Sequence, residues 1–469
     1  MAALLFTHAA VRRFIGPEEW GHWDWIQPIL LFLAAVRDLG VPSHVLRLRP
    51  MPLKSLLRIE AGWGGALALG VLLGAPWIAG LAAAPSPDLP AALQVLMAYL
   101  LLEGLTAVLT VWFEAHLELE RTLSAELLRT AVYCGSVLAL SSLGIGLWSF
   151  VTAQVASQAI YWIALRTQAA RNRVDLTVQA ASTLGLLRAS WGIGTVWLLS
   201  LIVQSLDPFL LGLQVDTQQV GLYAAAYFLA FLVYRVLQAP LGRALYPALI
   251  AYRTQPARQF EAFRLVTGVF LIFEVPTAFA LALNSERVLA LYAGSRYLEA
   301  GGLLQLLAFA PLVDPWSKFG GEYLLALHAD RARVVSLGLN LVALAGLGWW
   351  WSSLWGPEGM AWANFVPAGA PVVLWVLAKT GGKTFRNWLL ELGMLYFLPG
   401  LLFLPVWWMT PSGSSLRFGA SAVAALISAG LLLSRYLPRL AAFLREELVV
   451  AAQDTGIPKP SGSEPTSQV

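Results

Sequence analysis

Long apolar runs separated by short polar breaks recur along almost the whole chain. They fall near residues 24–44, 61–83, 91–113, 123–143, 146–166, 189–213, 221–246, 263–283, 301–327, 333–352, 357–378, 387–409 and 414–434. At a rise of about 1.5 Å per residue, each is long enough to cross a hydrocarbon core about 30 Å thick as a helix. Ahead of them stands MAALLFTHAAV, followed by Arg12 and Arg13. It is too short to cross alone and lacks the polar start and small-residue cleavage site of a signal peptide. We read it as the end of a truncated first span, which brings the expected count to about 14. Beyond residue 436, PRLAAFLREELVVAAQ has the pattern of an amphipathic surface helix, and DTGIPKPSGSEPTSQV has that of a disordered tail.

The breaks carry the charge. Lys and Arg are retained on the cytoplasmic side of membrane proteins, and the loops after even-numbered spans, with the segment after the last as far as Arg445, hold 21 of them. The opposite loops hold five, namely Arg12, Arg13, Arg287, Arg296 and Arg417. This asymmetry predicts that both termini face the cytoplasm. The longest polar connection, residues 167–188, follows the sixth span and divides the chain. The expected organisation is an N-terminal lobe over 1–166, a linker over 167–188, a C-terminal lobe over 189–378, two additional spans over 379–436, and a tail over 437–469.

A repeat crosses that division. GPEEWGHWDWIQPILLFLAAVRDLG and DTQQVGLYAAAYFLAFLVYRVLQAPLG share a polar turn, a glycine, an aromatic residue and a long apolar helix carrying an arginine. Arg37 lies 16 residues after Gly21, and Arg235 lies 14 after Gly221. Matching intramembrane features in two halves are what repeat-built transporters display.

Composition agrees with the pattern. The 469 residues are 58% hydrophobic and only 12% charged, with a mean hydropathy of +0.67, far from the soluble range. The chain reads as an all-α polytopic membrane protein. Its net charge of +4 forms no continuous basic stripe, so nucleic acid is not an expected partner. One cysteine, Cys134, permits neither an internal disulfide nor a Cys-based metal site. No HExxH, GxSxG, phosphate-loop or CxxC pattern is present, so the sequence calls for no catalytic residues, no metal and no cofactor. Tryptophans 349–351, 407 and 408 sit near span ends, where aromatic belts form.

Several ordered stretches resemble a known family. FIGPEEWG followed by a span ending in DLG, FEAHLELERTLSAELLRTAV, LSSLGIGLWSFVTAQVASQAIYWIALR, SLDPFLLG, VGLYAAAYFL, APLGRALYPAL and LALYAGSRYLEAGGLLQLLAF are similar to the bacterial oligosaccharide (Wzx-like) flippases of the multidrug/oligosaccharidyl-lipid/polysaccharide exporter superfamily. The resemblance covers most of residues 14–335. It implies two pseudo-symmetric six-helix lobes around a central cavity, and alternating access that moves a polyprenyl-diphosphate-linked glycan from the cytoplasmic to the periplasmic leaflet. It also implies contact with membrane lipids, proton or sodium coupling, and functional partnership with polysaccharide polymerase and glycosyltransferases. The rivals are a lipid II flippase, a cation-coupled multidrug exporter and, from another class, a membrane glycosyltransferase or glycan ligase. The last usually needs acids or histidines on a substantial outer loop, and the outer loops here are short.

The intramembrane polar residues are the candidate site. A charge near the bilayer centre costs at least about 2.5 kcal/mol, so each must be compensated or used. Arg235 shares a helical face with Tyr227, Phe231 and Gln238, a set suited to a phosphate and sugar hydroxyls. Arg37 is a second candidate for substrate binding or gating, although a pair with Asp38 or snorkelling would satisfy it. Lys318 lies between Asp314 and Glu322 at helical spacing, which suits a structural or gating role. Arg129 is a candidate for binding or for a pair with Glu126. Asp207, in SLDPFLLG, is a candidate proton or ion carrier. Glu103 and Glu274 are lone carboxylates in apolar runs and are either proton carriers or structural groups.

Overall fold

The computed structural model describes residues 2–46, 48, 51–116, 118–172, 182–411 and 414–454, excepting the side chains of residues 2–4, 119, 193, 204, 314, 330, 380–383, 440 and 443–454. No strand occurs among the described residues. The helices are α1 (Ala2–Phe14), α2 (Pro17–Asp38), α3 (Val41–Val45), α4 (Leu53–Ala79), α5 (Asp88–Ala115), α6 (Leu119–Ser142), α7 (Leu147–Arg171), α8 (Thr183–Gly212) and α9 (Thr217–Ala230). They continue as α10 (Leu232–Ala251), α11 (Pro256–Leu283), α12 (Ser285–Tyr292), α13 (Gly301–Leu307), α14 (Asp314–Ala326), α15 (Asp330–Trp355), α16 (Pro357–Ala363), α17 (Ala370–Met409) and α18 (Ser415–Asp454).

Among the described residues, eight helices are long and apolar enough to cross a membrane, and ten if each bent pair is one span. This is a multi-pass membrane protein. Several apolar runs of the sequence are divided rather than continuous. The run 301–327 is α13, a short 3-10 turn and α14, and 357–378 is α16 followed by the start of α17. The polar break at 379–386, expected to be a loop, is instead helical within α17. A Gly-Gly pair costs a helix only about 1 kcal/mol per glycine, which neighbouring packing overrides. The last span likewise runs on through Pro438 into the expected surface helix as α18. Residues 173–181 of the inter-lobe connection and the tail from 455, together with Arg47, Arg49 and Arg173 of the charge tally, lie outside the described residues.

Two large hydrophobic cores form the two lobes. One is built between Val11 and Ala153 around Trp20, Trp23, Trp25 and Phe150. The other lies between Leu210 and Tyr436 around Phe260, Phe263, Phe270 and Trp388. α17 and α18 pack against α11, while α2 packs against both α8 and α9 across the lobes.

The sequence explains how α2 is placed. Pro17 occupies its first turn with Glu18 and Glu19, where proline needs no N–H partner and acids favour the positive end of the helix. Glu19 Oε2 accepts the backbone N–H of Leu147 at 2.9 Å, capping the start of α7. The other end stops at DLG, where Leu39 and Gly40 adopt φ of 47° and 73° and Asp38 Oδ1 accepts the N–H of Gly40 at 2.9 Å. On the second repeat, Asp216 caps α9 through the N–H of Gln219 at 2.8 Å.

α2 and α9 cross backbone to backbone. A Cβ on Gly21 would stand 1.7 Å from the Thr217 carbonyl oxygen, and one on Gly221 would stand 1.9 Å from that of Pro17. The contact is reciprocal, each glycine meeting the residue four before the other. The two repeats are therefore related by a local pseudo-twofold that pairs each residue with the one 200 positions later.

A candidate substrate cavity between the lobes

Below this crossing lies a cavity of about 650 Å³. α2 contributes Trp23, Asp24, Gln27 and Pro28, and the second repeat contributes Tyr223, Ala224, Tyr227 and Phe228. These are four pairs at the same offset of 200. They follow the i, i+1, i+4, i+5 spacing of one helical face, so the cavity wall is the shared face of the repeat.

Three guanidinium groups reach this space. Arg12, at the end of α1, is only 2% exposed. Its Cζ lies 3.9 Å from the centre of the Trp20 ring in one lobe, and 5.2 and 5.8 Å from Tyr297 and Tyr292 in the other. Its Nη2 is 4.0 Å from Asp24 Oδ2, and its Nε and Nη1 find no hydrogen-bond partner among the described residues. Its compensation comes from Asp24 and from Tyr292 and Tyr297, with which it also interacts through its side chain, and a buried cation held this loosely is costly. Arg235 is exposed, with Cζ 5.1 Å from the Phe228 ring and 5.9 Å from that of Tyr227, and makes no ion pair among the described residues. Helices α9 and α10 are bent by 49° at their junction, which carries Arg235 out over the cavity. Arg129 donates to Gln158 Oε1 at 3.4 Å and lies 4.9 Å from the Tyr161 ring. His8 stacks edge-on to Trp20 at 5.5 Å. Asp24 is the acid among these cavity-lining groups.

The structure separates the sequence candidates. Arg235, Tyr227 and Arg129 line the cavity; Gln238 does not, because the bend between α9 and α10 breaks the straight face assumed for it. Arg129 forms no ion pair with Glu126 among the described residues. Arg37 neither snorkels nor pairs with Asp38. It is 3% exposed, with Nε 2.8 Å from Glu60 and Nη1 3.0 Å from Glu103, and it donates to the Leu100 carbonyl at 2.8 Å. Glycines 64 and 104 make room for it, since a Cβ at either would press on its side chain or on Glu60. Glu103 is thus not a lone carboxylate, and it also accepts from the Tyr99 hydroxyl at 3.2 Å. Asp207 is buried off the cavity, with Oδ2 accepting from Tyr223 at 2.8 Å and from Asn364 at 2.7 Å. Glu274 is 1% exposed in the core of the C-terminal lobe. Lys318 is half-buried on α14, does not line the cavity, and makes no ion pair with Glu322 among the described residues; the Asp314 side chain lies outside the described residues. No cluster able to hold a metal ion occurs among the described residues.

Arg12, Asp24 and His8 escaped the sequence reading. Arg12 was counted as a loop charge because the apolar run before it is short. The signal that finds Asp24 is the repeat, aligned on Gly21 and Gly221 instead of on the arginines.

The family model described as "Polysaccharide biosynthesis protein" matches residues 10–301, which include Arg12, Asp24, Arg129 and Arg235. The chain belongs to that family. A comparison with curated proteins returns no match. Among solved structures, the chain is similar to the lipid II flippase MurJ in an inward closed conformation, at 12% identity and a TM-score of 0.69, covering 93% of this chain and 97% of that one. It is similar also to a multidrug resistance MATE family transporter of the MOP superfamily. The inward-facing form superposes at 14% identity and a TM-score of 0.64, over 84% of this chain and 95% of that one. The outward-facing form superposes at 15% and 0.52, over 82% and 92%. This polysaccharide biosynthesis family member therefore shares the two-lobed helical fold of these structures.

Proposed function

We propose that this protein is a flippase that moves a polyprenyl-diphosphate-linked oligosaccharide from the cytoplasmic to the periplasmic leaflet of a bacterial inner membrane, without covalent chemistry of its own. The observation that carries the reading is the cavity itself, in which Arg12, Arg129 and Arg235 meet one acid, Asp24. A diphosphate binds such a set through charge-assisted, bidentate hydrogen bonds, whereas a cationic drug would be repelled by it. The amides and aromatic rings of the same wall suit sugar hydroxyls and ring faces. Residues 1–166 and 189–378 are the lobes that rock, with both termini in the cytoplasm. The closed Gly21–Gly221 crossing is then the periplasmic side, a reading supported by the closer likeness to inward-facing relatives. Of the acids considered for ion coupling, Asp207 is the best placed, because its partner Tyr223 lines the cavity.

Leaflet-specific labelling of the lipid-linked glycan tests this. Deleting the gene in a strain without a redundant flippase strands the glycan in the cytoplasmic leaflet, and Arg235→Ala does the same while the protein remains folded. Arg235→Lys keeps the charge but loses the planar fork and retains partial activity. Because Arg12→Ala alone leaves Asp24 without its cation, Arg12→Ala is made with Asp24→Asn. Unchanged sidedness in the deletion strain, or full export by Arg235→Ala, overturns the reading.

A further inference from the structure

A second, smaller cavity of about 250 Å³ adjoins the first, sharing Arg129 and Gln158 with it. It lies toward α3, on the side away from the Gly21–Gly221 crossing. Its size, just below the roughly 300–1,000 Å³ of small-ligand clefts, suits a single sugar ring and excludes a whole oligosaccharide.

Its polar groups are held in place by partners behind them. Glu103 is oriented by Arg37 at 3.0 Å and Tyr99 at 3.2 Å, yet its side chain remains 30% exposed. Each carboxylate oxygen keeps a free lone-pair direction. Gln158, 1% exposed, donates from Nε2 to Thr106 Oγ1 at 2.9 Å and accepts from Arg129 at 3.4 Å. Arg129 is steadied from below by the Tyr161 ring at 4.9 Å. Thr110 donates to the Thr106 carbonyl at 3.0 Å and its oxygen lies 3.4 Å from the Tyr161 hydroxyl, which leaves one of its two lone-pair directions able to accept.

Fixed acceptors and fixed donors of opposite charge thus face one small space. An anion there meets Asp38, Glu103 and Glu114, and a cation meets Arg129 and Arg37, all of which line it. A neutral polyol satisfies both sets, because each hydroxyl donates to a carboxylate and accepts from a guanidinium. We propose that this side cavity is a carbohydrate subsite that binds a neutral sugar of the transported glycan while the diphosphate occupies the arginine-lined cavity. The inference rests on the flippase reading for the location of the diphosphate. It assigns to Glu103, Thr110 and Arg129 the role of reading sugar hydroxyls, with Arg37 and Tyr99 as positioning residues.

The test uses the full-length protein in nanodiscs, with intrinsic tryptophan fluorescence reporting binding. Two probes are compared, a short-chain prenyl diphosphate and the same molecule carrying one neutral hexose or N-acetylhexosamine, drawn from a panel. In the wild type, at least one sugar tightens binding about tenfold over the bare prenyl diphosphate. Glu103→Gln, in which Arg37 keeps Glu60, and Thr110→Val each abolish that gain and leave the affinity for the bare prenyl diphosphate unchanged. If the wild type binds prenyl diphosphate and no sugar in the panel adds affinity, the subsite is refuted. The same holds if both variants keep the full gain, or lose affinity for both probes in parallel as a merely structural role predicts. If the wild type does not bind prenyl diphosphate at all, the flippase reading fails instead. The subsite is then judged by methyl glycosides of the same panel, whose binding Glu103→Gln must weaken.

Discussion

Arg37 and Arg235 occupy similar places in the two repeats and have opposite fates. Aligned on the Gly21–Gly221 crossing, Arg235 corresponds to Ala35, and Arg37 to Leu237. The two-residue difference in spacing is a rotation of about 200° on a helix of 3.6 residues per turn. Arg235 therefore starts the second segment close to the phase of Tyr227 and Phe228, and the 49° bend carries it over the cavity. Arg37 leaves the face of Asp24 and Gln27 and enters the lobe, where Glu60 and Glu103 receive it. The lesson is that an intramembrane arginine declares a need for compensation, and its helical phase decides whether it meets carboxylates inside a lobe or faces a cavity.

The strongest way to break this comparison is at Arg37. Arg37→Ala leaves Glu60 and Glu103 without their cation, and it is expected to cost about 3–5 kcal/mol, seen as lower folded yield and earlier thermal unfolding. Replacing Arg37 by Met together with Glu60→Gln and Glu103→Gln should recover most of that loss. A stable single alanine variant would show that Arg37 is not held as described.

The glycine crossing comes next. Gly21→Ala or Gly221→Ala drives a methyl group into a carbonyl of the partner helix, and should cost about 1–3 kcal/mol while shifting the population toward separation at that side. Distances between spin labels on α2 and α9 would record the shift, and an unchanged distance distribution with unchanged stability would remove the crossing from the pseudo-symmetry argument.

Arg235→Ala is expected to alter stability by no more than about 0.5 kcal/mol, as for an exposed residue away from any network, and yet to lose glycan export. Thermal unfolding beside the leaflet assay separates these effects. The smallest expected effect, and the sharpest, is a transplant. Ala35→Arg in the Arg235→Ala protein puts a guanidinium on the helical face of Asp24 and Gln27, one turn beyond Leu31 of the cavity wall, and should restore part of the prenyl diphosphate affinity, whereas Val36→Arg should not. Equal restoration by both would mean that net charge alone, without phase, governs the site.

Much of the fold was legible, because membrane spanning depends on length and hydropathy that any window of sequence records. The repeat was visible too, through its polar turn, glycine and apolar helix. Its register was not, since the arginines were the most conspicuous features and they are not equivalent. Gln238 was placed on the cavity by assuming a straight helix through Phe231, where the chain bends. Glu103 looked solitary only because Arg37 is 66 positions away in the chain. Arg12 looked like a loop charge because neither Trp20 nor the tyrosines of the other lobe are visible from a short apolar stretch.

By itself, then, the sequence determined that this chain is helical and lies in a membrane, that its halves repeat, and that Arg235 needs an explanation. Those properties follow from local hydropathy and from the cost of desolvating a charge, which each segment carries wherever it is placed. Tertiary structure alone decided which charges are neutralised inside a lobe and which face the cavity between the lobes. That choice rests on helical phase, on one 49° bend, and on the crossing of two glycines distant in the chain, because a buried charge is settled only by whichever partner comes within a few ångströms of it.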